Sequence, residues 1–510
     1  MNIRRLINQI VAVVCLAMVS ACYHYDSDIV DGVNTGDCYI SLAISVSNGN
    51  KYSTRANPTG GEDGDGREAG FERENTVTGV TLILYKDATG INTASDPTLD
   101  LVRYFPVTER ATGTMPIEVT YTTGDQPIGR PNLDYSGTYH AIVIANAPEV
   151  AASLTEGTSK LSDVRNVTLG TIYVGNPSMA AANCTHFVMS SEQDNTIDFG
   201  SVTPTKDVSG DMHFDLTSQS LIIERMAARI DFWSANSAGY MTSVENAAYT
   251  TPGYEYPVYK LTDTTTPTSN DKFVVTGIMP FNLANGHATY GNEYLIKRLK
   301  DDLSGTTVNY LADETAATSY VIDPQTLGKT TAVIPTLTSP LSGLYTLIGG
   351  EGGTVDVEST TDNPYYHSIA SMHGSSTASS TINDGKNDRE NVVVCYPMEN
   401  TLLPESKLYY HATGIAIVGY YYKNGTGTGT RYVYLGYLRH QGDATSYDIQ
   451  PYTTPLATDA TMGTTTAMNF GIVRNNIYRV SIGRIDEKGT LELKIKVKKW
   501  DPFVHDYIYM

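Results

Sequence analysis

The stretch Tyr-Ile-Ser-Leu-Ala-Ile-Ser-Val-Ser, residues 39–47, decides the fold of the first part of this chain. Its large apolar side chains occupy every second position and therefore share one face: Ile40, Leu42, Ile44 and Val46. Alternation with period two is typical of a β-strand that buries one face. Burying four such side chains contributes roughly 6–12 kcal/mol gross, at about 1.5–3 kcal/mol each. The sequence therefore predicts a strand of core quality close to the N-terminus.

The segments on both sides of this strand are poor in apolar residues. Residues 23–37 are polar and rich in Asp, which predicts a tether, and residues 48–70 are rich in Gly, Asp and Glu, which predicts an exposed loop. Arg55, followed by Ala56, is an accessible basic residue in that loop. A protease cut between them would disconnect the strand and expose an apolar groove with unpaired backbone groups. Such a groove invites a replacement strand from another chain.

The first residues have the pattern of an export signal. Arg4 and Arg5 precede an apolar run over residues 10–19, which is too short to span a bilayer. Small residues then lead to Cys22, in a pattern that resembles a bacterial lipobox. We predict a signal peptide over residues 1–21, lipid on Cys22, and a propeptide over residues 22–55. The alternative is an ordinary secretory signal in which Cys22 is incidental.

The composition predicts an acidic, all-β protein. The 510 residues include 55 acidic and 35 basic side chains, giving a formal net charge of −20. This balance argues against nucleic-acid binding, which needs a basic surface. Tyr is frequent at 36 residues, and 44 Gly with 22 Pro supply turns. The acidic charge suits a surface protein whose copies repel one another before assembly.

Strand patterns recur along the whole chain. We predict strands over residues 80–85, 139–145, 187–189, 221–232, 414–422 and 431–438, and one short helix within residues 151–165. A stretch rich in Gly, Thr and Pro follows residue 235. The predicted domains are an N-terminal β-domain over residues 56–235 and a C-terminal β-domain over residues 236–510.

Motifs for catalysis, metal binding or cofactor binding are not found in the sequence. Outside the signal and the lipid site, the cysteines are Cys38, Cys184 and Cys395, without metal-ligand spacing. Cys184 and Cys395 could pair, or remain two separately buried thiols. Residues 425–429 have alternating glycines but lack the strand-before and helix-after setting of a phosphate loop, so they predict a hairpin. We therefore expect no catalytic residue, no metal and no cofactor.

The C-terminus carries a second candidate strand of unusual position. Residues 490–500 alternate apolar and charged side chains, and after Pro502 an apolar tail ends the chain. The tail residues that we predict as a donor strand are Phe503, Val504, His505, Tyr507, Ile508 and Met510. A groove at one end of a subunit and a strand at the other make a contact that does not close on itself, hence a filament. The alternative is that these strands pack only within their own domain.

Several motifs resemble the fimbrillin family of Bacteroidales-type (type V) pili, in particular its shaft subunits. Ser-Thr-Arg-Ala at residues 53–56 matches the position where such precursors are cut. Residues 224–230 resemble a recurrent strand that closes the first domain, and residues 473–478 resemble a signature near the C-terminus. Val497 with Trp500, followed by His505, resembles the final strand pattern of the family. The middle of the chain is much less specific.

The resemblance implies two tandem transthyretin-like β-sandwich domains and a role in adhesion. It also implies export as an acylated (palmitate-bearing) lipoprotein to the outer surface of the outer membrane. A trypsin-like, Arg-specific protease would remove the N-terminal strand after Arg55, and the C-terminal strand would then polymerise the subunits. The implied partners are identical or homologous pilin subunits, anchor and tip fimbrial subunits, the protease, and the membrane until cleavage.

Two other functions remain open from the sequence. A pilus tip adhesin, or another surface glycan-binding lipoprotein, would keep a binding pocket, and the many tyrosines leave room for an aromatic platform. A surface hydrolase would need a catalytic site assembled in space, because no local motif supplies one. Tip subunits of the family generally lack the donor extension, which this chain has in its apolar C-terminal tail.

Overall fold

A computed structural model describes the chain over nineteen ranges. They are residues 37–46, 67–87, 95–111, 119–129, 133–169, 173–174, 184–191, 195–234, 239–241, 256–260, 270–281, 293–294, 367–368, 391–401, 413–425, 427–438, 445–449, 471–485 and 491–501. Strands make up most of these ranges and helices are few and short, so the predicted all-β fold is confirmed.

The strands of the first half are β1 (Cys38–Val46), β2 (Arg67–Ala69), β3 (Gly79–Tyr85), β4 (Leu101–Pro106), β5 (Thr108–Ala111), β6 (Val119–Thr122), β7 (Gln126–Gly129), β8 (Thr138–Ala145), β9 (Thr168–Leu169), β10 (Met189–Ser191), β11 (Asn195–Asp198), β12 (Thr205–Lys206), β13 (Met212–Arg225) and β14 (Arg229–Trp233). Those of the second half are β15 (Gly239–Met241), β16 (Tyr256–Lys260), β17 (Lys272–Phe281), β18 (Glu293–Tyr294), β19 (His367–Ser368), β20 (Asn391–Cys395), β21 (Asn400–Thr401), β22 (Gly414–Tyr422), β23 (Thr430–Tyr437), β24 (Thr445–Ile449), β25 (Gly471–Ile472), β26 (Asn476–Ile485) and β27 (Leu491–Asp501).

The largest sheet of the described residues is built from the first part of the chain and contains β1 in its interior. Its strands run in the order β4-β3-β8-β10-β13-β1-β6-β5, and β7, β11 and β12 pair beside this path. Its core is apolar, with β3 and β8 buried over most of their length. This sheet positions the groove that β1 fills.

The later strands form two further sheets. One has the order β2-β27-β26-β14-β20, with β24 beside β27, and the other has the order β15-β16-β17-β22-β23, with β19 beside β17. In the first of these sheets, β2 comes from much earlier in the chain than its neighbour and pairs in parallel with the end of β27. Residues of the predicted first domain therefore contribute two strands, β2 and β14, to a sheet whose other strands come from residues of the predicted second domain.

The predicted strand over residues 221–232 is wrong as one element. β13 ends at Arg225 and β14 begins at Arg229, and the two belong to different sheets. Between them the Met226 amide donates to the Val188 carbonyl, and the Ala228 amide donates to the Pro397 carbonyl. The apolar pattern continues through this crossing because the crossing is itself buried, so residues 224–230 pass from one sheet to the next.

The predicted helix within residues 151–165 is also wrong in its bounds. Two short helices are present, α1 (Pro148–Ser153) and α2 (Leu161–Asn166). Between them the chain turns at Gly157, whose φ of 70° breaks helical geometry. The bounds of the other predicted strands lie within two residues of the observed bounds. The offset of two residues is seen at β10, which begins at the last residue of the predicted strand 187–189.

The three cysteines among the described residues are not in disulfide bonds. Cys38, Cys184 and Cys395 are buried free thiols. Burial raises the pKa of Cys38 to about 11 and that of Cys184 to about 12, so both are protonated and unreactive at neutral pH. No helix among the described residues has the length and apolar character needed to cross a membrane.

Candidate functional site

β1 lies between two neighbours that belong to later parts of the chain. It pairs in parallel with β13, from Cys38 opposite Met212 to Val46 opposite Ile223. On its other side it pairs antiparallel with β7 near its start and with β6 near its end. A strand with partners on both sides leaves two rows of unpaired backbone groups if it is removed.

The alternating apolar face of β1 is fully inside the core. Ile40, Leu42 and Ile44 have no exposed surface, and Val46 is 1% exposed. The next described residue after Val46 is Arg67, in β2. Along the chain, Arg55 and Ala56 lie between these two positions, outside the described residues. A core strand is thus joined to the rest of the molecule through the segment that contains the predicted cleavage site.

The middle of β1 has a break in the ladder on each side. Its pairing with β13 shifts from Leu42 opposite Leu216 to Ala43 opposite Ser220, so residues 217–219 bulge out of the ladder. On the other side, the turn between β6 and β7 lies opposite Leu42, and Thr123 from this turn bonds the Leu42 backbone. The groove is therefore irregular near its centre, where Leu42 of β1 lies.

The entrance of the groove, at the start of β1, is acidic. The Tyr39 ring stacks on the His213 ring at 4.7 Å between centroids and 8° between planes. Asp125 bonds the His213 Nδ1, and Asp207 and Asp211 lie close enough to act on the imidazole charge. The Asp37 amide donates to the Asp211 carboxylate at 2.6 Å. Within the described ranges, no group of His, Cys, Asp and Glu is arranged to hold a metal ion.

The His213 cluster predicts a pH dependence of precursor stability. The hydrogen bond that the His213 imidazole donates to the Asp125 carboxylate raises the pKa of His213, with smaller contributions from the charges of Asp125, Asp207 and Asp211. A raised folded-state pKa contributes stability that is complete below the unfolded value of about 6.5 and is lost as pH rises through the folded value. We expect the urea midpoint of wild type to exceed that of His213→Gln at pH 5.5 and to approach it at pH 8.5. A difference that grows with pH would contradict this.

A second candidate site joins an early and a late part of the chain. β2 pairs in parallel with β27 from Arg67 opposite Lys499 to Ala69 opposite Asp501. Just after β2, the fully buried Glu74 accepts hydrogen bonds from the Phe71 amide at 2.7 Å and from the Trp500 indole Nε1 at 3.0 Å. The Tyr396 hydroxyl also donates to Glu74. We call this cluster the buried junction.

Arg225 holds the centre of the buried junction. Its Nε donates to the Glu74 carbonyl at 3.1 Å, and its Nη1 donates to the Trp500 carbonyl at 3.0 Å and to Asn475 Oδ1 at 2.9 Å. Its guanidinium also lies 4.6 Å from the centre of the Trp500 ring, a cation–π distance. Because Arg225 is the last residue of β13, its bond to the Trp500 carbonyl connects the largest sheet to the end of β27.

Two further buried arginines balance the charge of the junction. Arg229 makes two bonds to the Asp231 carboxylate, at 2.9 and 2.8 Å, and Arg474 donates to Glu399 at 2.7 Å. Fork-shaped pairing of a guanidinium with a carboxylate is among the strongest protein hydrogen-bond geometries. With Glu74 and Arg225, the junction contains three buried cations and three buried carboxylates, which is the balance a dry interior requires.

Sequence reasoning found one of these two sites and missed the other. The groove residues Ile40, Leu42, Ile44 and Val46 are where the alternation places them. Cys22, Arg55, Ala56 and the predicted donor residues 503–510 lie outside the described residues. The buried junction was missed, although a signal existed: Arg225, Arg229 and Arg474 interrupt strongly apolar stretches.

Comparisons with known proteins find similar solved structures only at low sequence identity. No family model and no curated protein matches the chain. Among solved structures, a cell adhesion protein from Parabacteroides distasonis has 13% identity and a TM-score of 0.39, over 92% of this chain and 98% of its own. The fimbrilin FimA from Porphyromonas gingivalis has 15% identity and a TM-score of 0.35, over 92% and 99%.

A third similar structure is a fimbrial tip protein. Mfa3 from Porphyromonas gingivalis, with a C-terminal truncation, has 10% identity and a TM-score of 0.37, over 91% of this chain and 100% of its own. At this distance, the function of the chain has to be argued from its own residues.

Proposed function

We propose that this chain is a structural subunit of a cell-surface fimbria, polymerised by exchange of β1 for a strand of another copy. The single observation that carries the proposal is the position of β1. It is an interior strand of the largest sheet whose apolar face is fully buried, and the covalent route from it to the later chain passes through Arg55. After a cut following Arg55, β1 is held in the sheet by non-covalent contacts alone and can be replaced.

The replacement strand comes from the C-terminus of a second copy. β27 ends at Asp501, and Pro502 cannot donate to a continuing ladder. The apolar tail that follows carries Phe503, Val504, His505, Tyr507, Ile508 and Met510. Adding an extended segment to a sheet uses main-chain hydrogen bonds for affinity and alternate side chains for specificity. Groove and tail are different surfaces, so each subunit binds one neighbour with each, and the chain of contacts grows as a filament.

Export and maturation complete the proposal. The lipid on Cys22 carries the precursor to the outer membrane surface, and an Arg-specific protease then releases the segment from residue 22 to Arg55. That segment has four acidic residues (Asp26, Asp28, Asp31, Asp37) and two basic ones (Lys51, Arg55), so its loss changes the charge little. The partners are other pilin subunits, with anchor and tip subunits at the filament ends. The role is structural and adhesive rather than enzymatic.

One core substitution tests whether β1 leaves the fold. Leu42→Ala should lower the unfolding free energy of the precursor by about 2–5 kcal/mol, because it empties part of a fully buried site. Once β1 has been replaced, the same substitution should have no effect on the polymer. The measurements are urea unfolding of the precursor and the temperature at which SDS-resistant polymers dissociate.

Leu82→Ala supplies the matched control. Leu82 is equally buried but belongs to β3, which stays in the subunit after cleavage. It should destabilise precursor and polymer alike. If Leu42→Ala lowered the dissociation temperature of the polymer as much as Leu82→Ala does, β1 would still be in place and strand exchange would be excluded.

A further inference from the structure

The backbone of Leu42 is held by an unusual pair of hydrogen bonds. The Thr123 amide donates to the Leu42 carbonyl at 3.2 Å, and the Leu42 amide donates to the Thr123 hydroxyl Oγ1 at 3.0 Å. In a regular antiparallel ladder, two such residues exchange amide-to-carbonyl bonds in both directions. Here the hydroxyl stands in for the carbonyl of the same residue, because the chain turns away at Gly124, whose φ is 65°.

The hydroxyl is oriented by a bond that does not involve β1. Thr123 Oγ1 donates its own hydrogen to the Gly124 carbonyl at 3.0 Å, and Thr123 is only 2% exposed. This bond lies within the turn between β6 and β7, so it persists when β1 is absent. The remaining lone pairs of the oxygen then point into the groove as an acceptor in a buried place, where an unsatisfied polar atom is costly.

We propose that Thr123 is a register-fixing residue for whichever strand occupies the groove, β1 in the precursor and the strand of a second copy in the polymer. The proposal rests on the proposed function. The occupant has to present a free N–H at this position, so a proline there is rejected. Ser45, two positions after Ala43, and Ser220, directly opposite Ala43, add a second fixed point, with their hydroxyl oxygens 3.0 Å apart. A one-residue slip would place the apolar face of the occupant outside the core.

The first test needs only the uncleaved precursor. Thr123→Val keeps the branched shape but removes the acceptor, so the Leu42 amide should exchange with deuterium about tenfold faster or more. Thr123→Ser keeps the hydroxyl and should stay within about threefold of wild type. Thr122→Val, the same change one residue earlier, is the control and should leave the Leu42 amide unaffected. Equal exchange in wild type and Thr123→Val would overturn the proposal. If Thr123→Val does not fold, Thr123→Ala is judged by the same criterion.

The second test follows assembly after cleavage after Arg55. Thr123→Val subunits should polymerise about tenfold more slowly than wild type and Thr122→Val subunits. Equal rates would overturn the role of Thr123 toward a second copy. If wild-type subunits themselves failed to polymerise, the proposed function would fall, while the Leu42 exchange data would still decide whether Thr123 fixes the register of β1.

Discussion

Replacing Arg55 with alanine should abolish polymerisation of the protease-treated protein. In the uncut chain, β1 is tethered to its own groove through residues 47–66, which gives it an effective concentration on the order of mM. A strand from another copy at µM concentration competes at a disadvantage of about a thousandfold. Cutting removes the tether, after which the released strand is diluted and the neighbouring copy can replace it.

The experiment uses an Arg-specific protease, because a cut after Lys51 would also free β1. Wild type should yield SDS-resistant ladders of subunits whose new N-terminus is Ala56, and Arg55→Ala should yield none. Lys51→Ala is the control and should behave as wild type. Arg67 lies beyond the predicted cut in β2, so Arg55→Ala/Arg67→Ala removes a fallback site. Ladders built from uncut Arg55→Ala chains would refute the need for cleavage.

Replacing Trp500 with alanine should destabilise the precursor by about 3–5 kcal/mol. Trp500 has no exposed surface and stacks on Tyr396, with 5.8 Å between ring centres and 16° between planes. Its loss leaves a cavity and removes one of the donors that satisfy the buried Glu74 carboxylate. It also takes away the ring that faces the Arg225 guanidinium.

Trp500→Phe separates these contributions. The phenyl ring keeps much of the stacking on Tyr396 but has no N–H for Glu74, so we expect a cost of about 1–3 kcal/mol, the range for an unsatisfied buried group. Both variants are measured by urea unfolding of the precursor at pH 7. A Trp500→Ala precursor within about 1 kcal/mol of wild type would show that the buried junction does not hold the base of the C-terminal tail.

The buried junction fixes geometry more than it adds free energy. Buried ion pairs often repay little more than their desolvation, whereas removing one partner is strongly destabilising. In this chain the paired groups come from β13, β14, the segment after β2, the segment after β20 and the turn before β26. The network therefore fixes these elements relative to one another.

Strands with clear alternation could be predicted from the sequence because their signal is local. The apolar face of β1 is buried as its alternation predicts, and β22 has the predicted bounds of 414–422. The run over residues 221–232 could not be divided correctly, because a buried crossing between sheets is as apolar as a strand. β2 carries no apolar pattern and forms a strand through its pairing with β27, which joins residues more than 400 positions apart.

The groove and the buried junction also differ in how far they could be predicted from local sequence. The apolar lining of the groove follows from alternation within nine residues, whereas its polar features depend on contacts across the chain. Thr123 meets Leu42 from 81 positions away, and Trp500 meets Glu74 from 426 positions away. A threonine in a β-rich sequence is too common to single out, while an arginine in an apolar stretch marks a position that must find a partner.

Complementation between two incomplete chains tests strand exchange most directly. One chain is Arg55→Ala, which keeps β1 in its groove and carries the tail. The other is cut after Arg55 and lacks residues 502–510, so it has an exchangeable groove and no tail. By native mass spectrometry, the mixture should form one-to-one heterodimers, and each chain alone should stay monomeric. No heterodimer in the mixture, or polymers from either chain alone, would contradict exchange of β1 for the C-terminal strand of a second copy.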